Sequence, residues 1–184
     1  MTKIVQQDAP VLRQKAKPVA LNEIEGPKIR KALKDMEAAL LSQDDGVALA
    51  APQIGISLRI FIVSKLALAS RETIRKETET ANIMEQKQKA GYLVFINPVL
   101  TKLSREKELL EEGCLSVRPL YGKIKRSKKA TVTAYDEHGK KFTRGASGLL
   151  AQVFQHETDH LDGVLFIDKA IDLHKMPSDA GRNS

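Results

Sequence analysis

Two histidines and a glutamate fall inside an apolar helical pattern, and no fold can bury them there without giving them partners. Over residues 147–161, Leu149, Val153, His156 and His160 share one helical stripe, and Leu150, Phe154, Glu157 and Leu161 share its neighbour. An unpaired polar group in an apolar setting costs roughly 2–7 kcal/mol. Residues 156–160 read His-Glu-Thr-Asp-His. Side chains four apart on a helix lie one above the other, so both imidazoles can reach one metal ion. Glu157 follows the first histidine directly and can take the proton of a water that a divalent ion has polarised. The bland alternative is a chance five-residue match on a core or surface helix; the apolar setting weighs against it.

A hydrolytic centre of this kind usually has three protein ligands. Downstream of His160 stand Asp162, Asp168, Asp172 and His174, none at a persuasive metalloprotease spacing. Upstream stands Cys114, the only cysteine, in Glu111-Glu112-Gly113-Cys114-Leu115-Ser116. A lone cysteine is either a ligand or a small buried hydrophobe. With no second cysteine there is no intrachain disulfide, which fits a reducing compartment.

The rest of the chain reads as one domain, residues 1–184, without repeats or interior linkers. Pro27 opens a helical pattern carried by Ile29, Leu33, Met36 and Leu40, and Asp44-Asp45-Gly46 ends it. Residues 58–63 and 92–96 read as buried strands, and 131–135 as an alternating strand before an Asp136-Glu137-His138-Gly139 turn. Residues 64–91 are polar and charged, either a surface helix or a mobile loop, and the last ten or so residues read as a loose tail. There is no apolar run of about 18 residues, so no membrane span is expected. Residues 1–10 lack the apolar core of a secretory signal, so the expected compartment is the cytoplasm, with organellar origin left open. The net charge of +7 fits either a solvated basic surface or a ribosomal RNA neighbourhood.

Three segments together resemble the peptide deformylase family. Residues 46–55, Gly-Val-Ala-Leu-Ala-Ala-Pro-Gln-Ile-Gly, resemble its G-x-G-x-A-A-P-Q-x-G motif. Residues 112–116 match E-G-C-L-S, and residues 155–163 match Q-H-E-x-D-H-L-x-G. The three stand in the family's order, and the resemblance spans roughly residues 4–170.

The resemblance implies an α+β fold with antiparallel strands packed around a central helix that carries His156 and His160. It implies Cys114, His156 and His160 as ligands of one divalent ion, natively Fe2+, with Zn2+, Ni2+ or Co2+ able to replace it. Glu157 is then the general base and later the acid, and Gln53 and the Leu115 N–H stabilise the oxyanion. Gly46, Val47 and Ala48 line the groove for the peptide, and Gly113 gives close passage beside the metal. The implied reaction is removal of the formyl group from N-terminal formyl-methionine, on nascent peptides at a transiently contacted ribosome. Two other readings are an ordinary H-E-x-x-H endopeptidase and a vestigial ribosome- or RNA-binding module. Three departures stand out: Ala48 replaces the motif's second glycine, residues 64–91 read as an insertion, and Val117-Arg118-Pro119 follows Ser116 where Val-Pro is common.

Overall fold

Gly26 and Pro27 start helix α1 (Pro27–Leu41). A proline in its first turn forfeits no helical hydrogen bond. Its apolar stripe (Ile29, Leu33, Met36, Leu40) is buried, as the spacing predicts. A computed structural model describes residues 2–68 and 88–175. In it the strands are β1 (Ala48–Ala50), β2 (Ile60–Ser64), β3 (Tyr92–Leu103), β4 (Lys107–Gly113), β5 (Leu120–Ser127), β6 (Lys129–Tyr135), β7 (Lys141–Ser147) and β8 (Ile171–Lys175). The second helix, α2, is Gly148–Leu161.

The strands form two sheets, ordered β1-β2-β3-β6-β7 and β4-β5-β8. Every pairing between them is antiparallel. With the buried α2 packed against strands of both, this is the expected α+β arrangement around a central helix.

Strand β2 lies wholly inside, and its two faces serve two cores. Side chains alternate along a strand, so Ile60 and Ile62 share one core with Ile29, Leu33, Met36 and Leu40 of α1. Phe61 and Val63 face the other way, onto Val132, Phe154 and Leu161. The rings of Phe61 and Phe95 stack at 4.5 Å between centroids, and Phe95 meets Phe154 edge-on at 5.2 Å. Helix α1 thus covers one face of the larger sheet, while α2 covers the other and carries the histidines.

Several limits differ from the sequence reading. Strand β2 starts at Ile60 rather than residue 58. Strand β3 runs to Leu103, well past residue 96 and through Pro98, because its register shifts between Ile96 and Val99. Such a bulge spares the proline from a ladder hydrogen bond. Asn97 sits there with φ 50°, and its side-chain amide replaces a strand neighbour: Oδ1 accepts from Val19 N (2.8 Å) and Nδ2 donates to Val19 O (2.7 Å). The turn at Asp136 forms as expected, with Asp136 Oδ1 accepting from the N–H groups of His138 and Lys140 and Gly139 at φ 72°. Of the segment 64–91, Ser64 closes β2 and Leu66–Leu68 form a single 3-10 turn; residues 69–87 lie outside the described residues. Strand β8 ends at Lys175, and the expected tail, the last ten or so residues, falls on residues 176–184, which lie outside the described residues.

Phe95 has no exposure at all and touches three other rings. Phe95→Ala should therefore cost about 3–5 kcal/mol of unfolding free energy in urea titrations. Leu103→Ser, at a side chain 48% exposed, should stay within about 0.5 kcal/mol of the parent.

Candidate active site

Helix α2 is held in place by a glutamine. Gln155 Nε2 donates to Ser127 O (3.0 Å) and Ala151 O (2.8 Å), while its Oε1 accepts from Ser127 N (2.9 Å). That two-way pairing ties the helix to the end of β5 and fixes its rotation. His156, Glu157 and His160 then lie beside Cys114, which follows the last residue of β4, Gly113. Gly163 follows the helix at φ 77°, and a Cβ there would come within 2.9 Å of the Arg13 backbone, so the turn requires glycine.

Cys114 Sγ lies 3.2 Å from His160 Nε2. The ligand atoms of Cys114, His156 and His160 all fall within 4.8 Å of one another. The four downstream candidates are engaged elsewhere: Asp162 with Arg59, Asp168 with Arg13, Asp172 with Lys123 and His174 with Glu111. Burial alone would raise the Cys114 thiol, but the imidazoles of His160 and His156 overturn this and bring it down to about 5, which makes it a thiolate at neutral pH. Burial pushes the Glu157 carboxyl up from its ordinary value. Glu157 Oε2 and His160 Nδ1 are buried without a hydrogen-bond partner among the described residues. A thiolate, two imidazoles and an orphaned carboxylate oxygen side by side fit a divalent cation and the water it would bring.

Glu112 governs the orientation of His156. Its Oε2 lies 2.9 Å from His156 Nδ1, which leaves Nε2 as the ring nitrogen free to ligate. Arg126 donates to both Glu112 oxygens, at 2.8 and 2.9 Å, and at 2.6 Å to Asp159, which also receives Lys169 at 2.8 Å. Neither Glu112 nor Arg126 was singled out from the sequence. Glu112 lay inside a matching motif, but Arg126, twelve residues past the cysteine, carried no local signal.

The cluster floors a cleft of about 310 Å³. Its lining includes Val47, Ala48, Gln53, Cys114, Arg118 and Tyr121, with Gly113 and Leu115 beside the cysteine. Gly46 is placed differently: it is buried against Leu40 and Gln43 at the end of α1, behind the cleft wall. Ala48 lies in β1 opposite Val63, and its φ is not positive, so replacing the motif's glycine strains nothing. Gly113 is needed for a close approach, because any Cβ there would run into the Tyr121 ring. Arg118, in the departure after Ser116, pairs with Asp45 at 2.5 Å.

Gln53 reaches the centre from the 3-10 turn Ala51–Ile54. Its Oε1 accepts from Ala50 N (2.8 Å), and its Nε2 lies 3.2 Å from Ser116 Oγ and 3.5 Å from Cys114 Sγ. The Leu115 N–H has no backbone acceptor among the described residues. The two donors flank Cys114 from different segments. The chain's start braces both: Val5 N donates to Gln53 O (2.8 Å), and Gln6 Nε2 to Leu115 O (3.3 Å).

The model of the polypeptide deformylase family matches residues 1–176. Peptide deformylase 2 of Clostridium acetobutylicum is 40% identical over 158 residues, covering 86% of this chain and 87% of that one. The chloroplastic/mitochondrial peptide deformylase 1A of Arabidopsis thaliana is 37% identical over 171 residues, which make up 93% of this chain and 62% of that longer protein. The crystal structure of peptide deformylase from Thermotoga maritima is similar with a TM-score of 0.74 at 34% identity, covering 93% of this chain and 98% of that chain.

The Glu112 network sets an acid limit on stability. Burial would raise the Glu112 carboxyl, but hydrogen bonds from Arg126 and His156 bring it down from 4.5 to about 2. A carboxyl with a depressed folded-state pKa adds stability that is present above its ordinary value and lost as pH falls through the folded value. Urea midpoints should therefore drop between pH 4.5 and pH 2, and Glu112→Gln should remove part of that drop. An identical acid profile in the variant would contradict the assignment.

Proposed function

The chain belongs to the polypeptide deformylase family, which removes the formyl group from nascent polypeptides, and we propose the following division of labour among its residues. The reaction is hydrolysis of the formyl amide on an N-terminal methionine, releasing formate and a free amine. Cys114, His156 and His160 would hold one divalent ion, and the mutual approach of their ligand atoms within 4.8 Å is the observation that carries this reading. When bound, the ion supplies Lewis acidity that polarises water and the formyl carbonyl.

Glu157 takes the proton of the attacking water and returns it to the departing amine nitrogen. Its raised pKa and its uncommitted Oε2 suit both halves of that shuttle. Gln53 Nε2 and the Leu115 N–H meet the negative charge that gathers on the formyl oxygen, a charge that exists only as the water adds. The peptide lies along the cleft between β1 and β4, which are edge strands of the two sheets. Val47, Ala48 and Gly113 offer it backbone groups for an added strand, with Gly46 supporting them from behind.

The native ion is Fe2+, and Zn2+, Ni2+ or Co2+ can take its place, since a His₂Cys set suits several first-row metals. The catalytic unit is the whole chain, residues 1–184, acting in the cytoplasm. The lone thiol supports that compartment, and no helix among the described residues is long and apolar enough to cross a membrane. The +7 net charge supports transient contact with the ribosome, where formylated chains emerge.

The direct test is formate release from formyl-Met-Ala-Ser by metal-loaded protein, with the unformylated peptide left intact. Cleavage of internal peptide bonds instead would make the chain an endopeptidase. Glu157→Gln should retain its metal and lose roughly 10²- to 10⁴-fold in turnover; near-parental turnover at full metal content would remove Glu157 from its role.

Cys114 can be checked without turnover. As a ligand, its thiolate should resist alkylation while metal is present and react once a chelator strips it. Cys114→Ser should bind metal more weakly in a titration, because a hydroxyl replaces a soft thiolate poorly. Parental affinity in that variant would reopen the choice of third ligand.

A further inference from the structure

Ser116 is fully buried, and its hydroxyl has no part in the proton chemistry described above. Its Oγ meets the Nε2 of Gln53, itself 2% exposed, at 3.2 Å. A carboxamide nitrogen carries two hydrogens in one plane. Ala50 N donates to Gln53 Oε1 at 2.8 Å, which settles which end of the amide is oxygen and so directs both hydrogens toward the 114–116 turn. One of them is taken by Ser116 Oγ. The other points at Cys114 Sγ, 3.5 Å away, and both residues line the cleft. At 3.5 Å this contact is longer than the one to Ser116 Oγ, so the second N–H is the one free to turn to a developing oxyanion.

We propose that Ser116 is a positioning residue for oxyanion stabilisation: it occupies one N–H of Gln53 and thereby aims the other at the reacting carbonyl. The inference rests on the assignment of Gln53 as an oxyanion donor. Without Ser116 the amide keeps its Ala50 anchor but can turn about it, and small misplacements of a catalytic group are costly in rate. The ground state is bound by other groups, so the effect falls on kcat and spares KM.

The test is a double-mutant cycle of Gln53→Ala and Ser116→Ala, with Ser116→Cys as a milder variant, measured as kcat per bound metal. Gln53→Ala should lose about 10²- to 10³-fold in kcat, as for other oxyanion donors. Ser116→Ala should lose on the order of tenfold in kcat with KM within about twofold, and Ser116→Cys should fall between it and the parent. In the Gln53→Ala background, Ser116→Ala should have almost no further effect. A second readout is free of turnover: in metal-free protein labelled with [15N]glutamine, the two Gln53 side-chain N–H signals should be separate and protected from exchange, and should merge or broaden in Ser116→Ala. Equal kcat losses from Ser116→Ala with and without Gln53, or unchanged Gln53 signals, would overturn the role of Ser116 while leaving Gln53 in place. Near-parental kcat in Gln53→Ala would instead remove the reading beneath it.

Discussion

The buried pair of Glu112 and Arg126 is the contact on which the remainder of the site depends. Two side chains of opposite charge, 5% exposed each, sit where apolar residues would be expected. Taking ions out of water costs several kcal/mol apiece, and only close, multiply bonded geometry recovers it. Here the geometry is bidentate, and the pair is extended at both ends. His156 leans on Glu112, Asp159 on Arg126, and Lys169 carries the chain of charges out to solvent. A domain's whole stability is only about 5–15 kcal/mol, so no single member can be left unsatisfied. The arrangement ties β4, β5 and α2 together and settles which imidazole nitrogen faces the cysteine.

The same economy explains the layering. Strand β2 can be apolar on both faces because α1 covers one and α2 the other. The polar stripe of α2 faces the smaller sheet, where Gln155 pairs with Ser127 and Glu112 waits for His156. The aromatic stack beneath supplies rigidity, and the ion-paired side above supplies chemistry. Deformylation needs both, since a misplaced donor or base is worth little.

Much of this was legible in the sequence where the signal is local. The stripes of α1 and α2, the apolar starts of β2 and β3 and the turn at Asp136 follow from spacing and turn chemistry. The proposed ligand set rests on three motifs taken together, not on spacing alone, and the structure brings its three side chains together. Strands β4 and β8 were not legible, because Lys-Glu-Leu-Leu-Glu-Glu-Gly and Ile-Asp-Leu-His-Lys are mostly exposed and lack clean alternation. The continuation of β3 through Pro98 hid behind a bulge whose partner, Val19, lies 78 residues away. Arg126 and Ser116 act only through contacts made in space, so no window along the chain announces them. Gly46 shows the converse: it belongs to a recognisable motif, yet its place is behind the wall.

The order of the parts along the chain also gives the centre a history. Gln53 is synthesised first, then Cys114, and the helix with both histidines follows them. Cys114 and His160 are 46 residues apart, a gap of several seconds at translation rates of roughly 5–20 residues per second. Until α2 emerges, the cysteine lacks the imidazoles that make it a thiolate, and it remains an ordinary, sluggish thiol. Assembly of the three-residue cluster is therefore coupled to the docking of α2. A chain on which α2 has not yet docked would present Gln53 and Cys114 without either imidazole, so it would offer a metal no three-residue cluster.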